Sequence, residues 1–286
     1  MTTLVKAWTA ARDTLTAAEV DSPVIDARLL VEAACGVTRL DIVTDPHREV
    51  SAEQQATLDG YVERRARREP VSRILGRKGF WKIMVGVGPH VLSPRPESEV
   101  IVEQVLAAFP EGMAFNVLDL GVGSGAILLA IVAERPAAKG LGVDVSEEAL
   151  ANARENAANL GLDGRIALLR GDWTTGLADA SFDVVVSNPP YIPTAVIEGL
   201  DPEVREHDPR LALDGGPDGL DAYRTLAPEI LRVLKAGAPF FVEIGFDQKQ
   251  AVEALFREAG ADGVTTIQDL SARDRVVTGF KKALGI

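Results

Sequence analysis

From about residue 115 the chain alternates short apolar runs with helical segments, and this alternation limits the possible folds more than any other feature. Val117-Leu118-Asp119-Leu120, Leu141-Gly142-Val143-Asp144, Ile166-Ala167-Leu168-Leu169, residues 182–186 and residues 239–244 read as buried strands. Helices are predicted between and after them at 126–135, 147–160, 222–234 and 248–259. Residues 264–267 and 276–280 pair as closing strands. Repeated strand–helix units need crossover connections, so the expected fold class is α/β, a doubly wound sheet.

The strand at 182–186 runs straight into Ser187-Asn188-Pro189-Pro190-Tyr191-Ile192-Pro193. Prolines donate no backbone hydrogen bond, so sheet pairing stops there. Pro189 also pushes Asn188 out of the helical region. The result is a stiff, extended corner at the carboxyl end of a strand, the edge where open α/β sheets bind ligands. The Asn188 side chain and the Pro189 carbonyl can each accept one N–H of a planar NH2 group, while Tyr191 covers its face. Adenine, cytosine and a side-chain amide all carry such a group. The bland reading of Asn-Pro is a rigid turn with a loop-capping asparagine.

After the first strand comes Gly121-Val122-Gly123-Ser124-Gly125. Glycines there let the backbone approach a ligand and leave N–H groups free at the next helix start. Asp144 ends the following strand, 19 residues past Gly125, where a carboxylate accepts the hydroxyls of a ribose. The ligand should therefore contain a nucleoside. The spacing is Gly-x-Gly-x-Gly, not the Gly-x-Gly-x-x-Gly of dinucleotide sites. Asp119, two residues before the first glycine, suits a cationic ligand better than a pyrophosphate. S-adenosylmethionine, with its sulfonium and ammonium, fits better than NAD. Asp172 and Trp173, after the third strand, are placed to meet the adenine edge and face; ordinary core packing is the alternative for Trp173.

Residues 1–70 read as a small helical bundle. Leu4, Trp8, Ala11 and Leu15 recur at helical spacing, and Gly36 stops a second helix over 26–34. Ser51 and Gln54 form a capping-box pattern for a further helix reaching about Arg68. Residues 71–93 form a connector of short strands or a hairpin, with Ile74-Leu75-Gly76 among the strand candidates. Residues 94–286 make the second domain, and Pro94-Arg95-Pro96-Glu97-Ser98-Glu99 either simply opens its first helix or also faces the active cleft.

Net charge is −12, which argues against a partner held by its phosphate backbone. Residues 61–82 reverse the sign, with eight Lys or Arg against Glu63 and Glu69. This island is either a solvated helix face or a docking patch. The lone Cys35 excludes an intrachain disulfide and fits a reducing compartment. His47, His90 and His207 have no zinc-ligand spacing, so no metal is expected. No signal peptide or membrane span is expected, which suggests a cytoplasmic protein.

Asp119-Leu-Gly-x-Gly-Ser-Gly, Asp144 and Asn188-Pro-Pro-Tyr together resemble the class I methyltransferases that modify planar nitrogens. The finer resemblance is to the protein-(glutamine-N5) methyltransferases of peptide chain release factors. Its further segments are Glu69-Pro-Val-Ser-Arg-Ile-Leu-Gly76, residues 94–99, residues 208–220 and Val242-Glu-Ile-Gly245. The resemblance implies a class I methyltransferase sheet behind an N-terminal helical domain that grips the substrate protein. It implies S-adenosylmethionine as donor, S-adenosylhomocysteine as product and the glutamine of a release factor's Gly-Gly-Gln tip as acceptor. Asn188, Pro189, Pro190 and Tyr191 are then the catalytic corner. Asp119, Gly121, Val122, Gly123, Ser124, Gly125, Asp144, Asp172, Trp173 and Asn188 are the cofactor set. Neither a membrane nor a nucleic acid is an expected partner. The competing functions are N6-adenine methylation of DNA or RNA, glutamine methylation of a ribosomal protein, and a non-enzymatic adaptor with a relic cofactor site. The chain departs from the family pattern at Val122 and Ser98, where threonine is usual, at Ser93, and at Lys82-Ile83-Met84.

Overall fold

The computed structural model describes residues 2–283, so Met1 and the end of the expected second domain, 284–286, lie outside the described residues. The chain divides into two units. The first runs to Arg77 and adds the distant segment Asp201–His207; the second holds Lys78–Leu200 and the chain from Asp208.

In the first unit, α1 (Leu4–Ala17), α2 (Pro23–Cys35) and α4 (Ala52–Ala66) pack together, with short α3 (Arg39–Thr44) and α5 (Val71–Ile74). Leu4, Ala7, Ala11 and Leu15 form one buried stripe of α1, facing Ala27, Leu30 and Val31 of α2 and Leu58 and Val62 of α4. Gly36 ends α2 in the left-handed region, and Ser51 and Gln54 make the expected capping box. Ile74-Leu75-Gly76, expected as a strand, is instead the end of α5 and its turn. A short apolar run before glycine reads alike for a strand and a helix end. Pro70, extended at the N-cap, makes this one a helical turn.

Much of the basic island is neutralised within its own units. Arg65 is buried, 2.8 Å from Asp26 and 2.9 Å from Glu203, and Arg68 lies 2.6 Å from Glu203. Arg64 pairs with Glu69 at 2.6 Å, and Lys82, in the second unit, with Glu134 at 2.9 Å. Glu203 thus ties the later segment, with its single-turn α9 (Pro202–Arg205), into the helical unit. A buried arginine kept between two carboxylates is a structural element rather than free docking charge.

The hairpin β1 (Arg77–Phe80) and β2 (Ile83–Gly86) turns at Trp81 and leads through a 3-10 turn into α6 (Glu99–Ala108). Alternating strands and helices follow: β3 (Asn116–Leu120), α7 (Ala126–Glu134), β4 (Lys139–Asp144), α8 (Glu147–Asn159), β5 (Ile166–Arg170), β6 (Val184–Ser187), α10 (Asp221–Val233), β7 (Pro239–Glu243), α11 (Lys249–Glu258), β8 (Ala261–Gln268) and β9 (Asp274–Lys281). The seven-stranded sheet has the order β5-β4-β3-β6-β7-β9-β8. β3 to β7 are parallel, and β9 inserts antiparallel between β7 and β8.

Strand order reverses at β3, whose neighbours are β4 and β6. Leu120 pairs with Val143 on one side and Ser187 on the other. The glycine loop, Asp144 and Asn188 therefore leave the sheet at one carboxyl edge, on both sides of a topological switch point. Core lies on both faces: α7 and α6 cover one, α10 and α11 the other.

Candidate active site

A cavity opens at this switch point. Asp119, Gly121, Val122, Gly123, Ser124, Asp144, Asp172, Trp173, Asn188 and Pro190 all line it. Gly125 does not; it caps α7 behind the loop. Pro189 is buried beside the cavity, and the Tyr191 hydroxyl turns to Glu243 at 3.4 Å.

The glycine loop is held by its own backbone. Gly121, Gly123 and Gly125 all have φ between 52° and 81°, where only glycine is unstrained. The N–H groups of Gly121 and Val122 both donate to the Val143 carbonyl. Val122 turns its side chain inward, so that a Cβ on Gly142 would lie 2.7 Å from it. Valine in place of the family's threonine thus packs against β4 at the edge of the cavity.

Asp144 is fixed on both carboxylate oxygens. One accepts the Gly123 N–H at 2.9 Å, the other the Ser146 N–H at 3.0 Å. The lone pairs left over face the cavity and suit a diol. Trp173 has φ +49°, a costly conformation for an aromatic residue, and its ring lies against Gly121. It also packs against the core while lining the cavity.

Asp119 is 1% exposed, and its Oδ1 has no hydrogen-bond partner. A buried, unpaired carboxylate oxygen on a cavity wall is costly unless a ligand completes it. Burial pushes its pKa up to about 7, and the Asp144 charge adds to the rise. A cation held there would restore the carboxylate, so the cavity fits the cationic methyl donor anticipated from the sequence. A proton release follows. Binding of S-adenosylmethionine should release a proton near neutrality, with affinity falling as pH drops below about 7, by up to about tenfold per unit. Calorimetry in buffers of different ionisation enthalpy reads both effects. The same raised pKa lets the free protein hold an extra proton between 3.8 and about 7. Its contribution to stability is full at the acid end of that window and is lost as pH rises through it.

The Asn188 corner is buttressed by the segment after Asp208. The Ile192 N–H donates to the Leu213 carbonyl, and the Gly215 N–H returns to the Ile192 carbonyl, each at 2.9 Å. A Cβ on Gly219 would lie 2.4 Å from the Tyr191 carbonyl. Gln248 Nε2 donates to that carbonyl and to the Gly219 carbonyl. The corner is rigid because two loops and a helix start hold its backbone.

Other residues at or around the site lie outside the expected catalytic corner and cofactor set, although the 94–99 turn does face the cavity. Asn156, buried on α8, accepts the Gly86 N–H and donates to the Gly86 and Ser124 carbonyls, joining hairpin to glycine loop. Ser98 lies between Asn188 Nδ2, which donates to it at 3.1 Å, and Glu243, to which it donates at 2.5 Å. Glu243 is 1% exposed at the end of β7. Arg95 and Leu211 also face the cavity, and the Arg95 guanidinium pairs with Asp208 at 2.5 Å. Among the described residues, no three His, Cys, Asp or Glu side chains are grouped to hold a metal, and no helix is long and apolar enough to cross a membrane.

A glycine loop, an acid at the end of the next strand and an Asn-Pro-Pro-Tyr corner on one doubly wound sheet belong to an S-adenosylmethionine-dependent methyltransferase. The family described as methyltransferase domain matches residues 112–271, and the one described as PrmC N-terminal domain matches residues 6–76. A methyltransferase from Pyrococcus furiosus shares the fold, with TM-score 0.51 and 20% identity over 69% of this chain and 88% of that one. The release factor glutamine methyltransferase of Caulobacter vibrioides is 72% identical over 99% of this chain and 98% of its own. That of Agrobacterium fabrum is 43% identical over 94% of both chains. The chain belongs to the release factor glutamine methyltransferase family.

Proposed function

We propose that this protein transfers a methyl group from S-adenosylmethionine to the side-chain amide nitrogen of the glutamine in the Gly-Gly-Gln motif of peptide chain release factors. The observation that carries the reading is Asn188 at the cavity wall, its Nδ2 committed to Ser98 and its oxygen left to accept an N–H.

S-adenosylmethionine supplies a methyl group on a sulfonium, open to direct displacement. Asp119 meets the donor's positive charge, Asp144 its ribose hydroxyls, and Trp173 with Asp172 its adenine. An amide nitrogen is a poor nucleophile because its lone pair is shared with the carbonyl. Asn188 Oδ1 and the Pro189 carbonyl each accept one of its N–H bonds and aim the nitrogen. Those hydrogen bonds strengthen as positive charge grows on nitrogen, which is the differential binding that lowers the barrier. Holding the two reactants together supplies several kcal/mol more. The N-methylated amide cation is a strong acid, so no side-chain base is required. Burial and the neighbouring Glu243 keep the Tyr191 phenol protonated, so Tyr191 contributes shape and a hydrogen bond, not proton transfer.

The test offers labelled S-adenosylmethionine with four acceptors: release factor, the same factor with its Gly-Gly-Gln glutamine changed to alanine, a ribosomal protein and duplex DNA. Label on the first alone supports the reading. Label on DNA alone would assign the corner to adenine.

A further inference from the structure

We propose that Ser98 and Glu243 set the orientation of the Asn188 carboxamide, so that its oxygen and not its NH2 faces the methyl-accepting amide. This rests on the reading of Asn188 given above. The two ends of a carboxamide are alike in shape, so only the hydrogen-bond network decides which end points where. One end accepts the N–H of the acceptor, while the other presents its own N–H and leaves the bound amide unaimed.

Ser98 has a single proton. It is committed to Glu243 Oε2, so Ser98 offers Asn188 only lone pairs, and Asn188 must answer with Nδ2. The relay joins three elements: the turn before α6, the end of β7 and the corner after β6. The groups facing the Glu243 carboxylate are Ser98 and Glu97 from that turn, Tyr191 from the corner and Arg275 from β9. The Tyr223 hydroxyl of α10 donates to the Glu243 backbone carbonyl. Burial pushes Glu243 up to about 7, while Ser98 and Arg275 oppose the rise. Once protonated, Glu243 becomes a donor. Ser98 is then free to turn its own proton toward Asn188, and the fixed orientation is lost. The relay thus works above about pH 7 and fails below it.

The experiment measures kcat and KM for the release factor against pH at saturating S-adenosylmethionine, which removes the Asp119 effect on donor affinity. Wild type, Ser98→Ala, Ser98→Thr, Glu243→Gln and Asn188→Ala are compared. Ser98→Ala should lower kcat about ten- to a hundredfold, the usual cost of losing a group that orients a reacting side chain. KM should change little, and the fall in kcat below about pH 7 should vanish. Glu243→Gln, able to donate at every pH, should be low and flat. Ser98→Thr should restore both rate and pH limb, which a purely structural role would not couple. Wild-type kcat in Ser98→Ala, or a Ser98→Thr variant as slow and flat as Ser98→Ala, overturns the inference. If Asn188→Ala is impaired in that series, only the relay has failed. If Asn188→Ala is also unimpaired, the reading of Asn188 has failed and the relay with it.

Discussion

Asn188→Ala should reduce methyl transfer to the release factor on the order of a hundredfold or more, while binding of S-adenosylmethionine survives in part. In the proposed mechanism the carbonyl lost is the acceptor that strengthens its hold as charge builds on the amide nitrogen. Binding of the donor survives because Asp119, Asp144 and the glycine loop are set by other strands. The Asn188 backbone is fixed by its prolines and by the 208–220 segment, so truncation of the side chain should leave the corner in place. Single-turnover kinetics, with donor affinity measured separately, reads the two quantities apart. A near-normal transfer step would remove Asn188 from the chemistry.

Asp144→Ala is expected to do the reverse. Donor affinity should fall about ten- to a hundredfold, the cost of losing two charge-assisted hydrogen bonds to the ribose. A second loss is visible in the structure. Asp144 also holds the Gly123 and Ser146 N–H groups, so its removal loosens the glycine loop itself. Asp144→Asn keeps one backbone contact and should fall between wild type and alanine. With donor raised to saturation, kcat should largely recover, since Asp144 ends β4 and the Asn188 corner follows β6, with β3 between them. Titration calorimetry showing unchanged affinity would mean that the ribose lies elsewhere.

The parts of the site legible in the sequence were those fixed by local backbone rules. Three glycines at two-residue spacing after a buried strand admit few conformations, and their φ values are the ones only glycine takes freely. Two prolines after Asn188 stop a strand in any context. The capping box at Ser51 needed only residues three apart. The Ser98–Glu243 relay was not legible, because its members are 90 and 145 residues apart and only the sheet brings them together. Glu243 on its own is an acid at the end of an apolar run. The pairing inside the basic island was hidden for the same reason: Arg65 reads as a surface charge until Asp26 and Glu203, 39 and 138 residues away, close around it. At 74–76 the signal itself was ambiguous, since three residues carry too little periodicity to separate a strand from a helix end. The hairpin of β8 and β9 was readable as a pair, but its insertion beside β7 is a tertiary choice.

The central claim is that the methyl group lands on an amide nitrogen held by Asn188. Its most direct test is a single turnover with isotopically labelled donor and unmodified release factor, followed by fragment mass spectrometry of the product, with Asn188→Ala run alongside. The expected result is one methyl group on the side-chain nitrogen of the Gly-Gly-Gln glutamine, formed rapidly by wild type and at least about a hundredfold more slowly by the variant. A methyl group on any other atom, or equal rates for the two proteins, would contradict it.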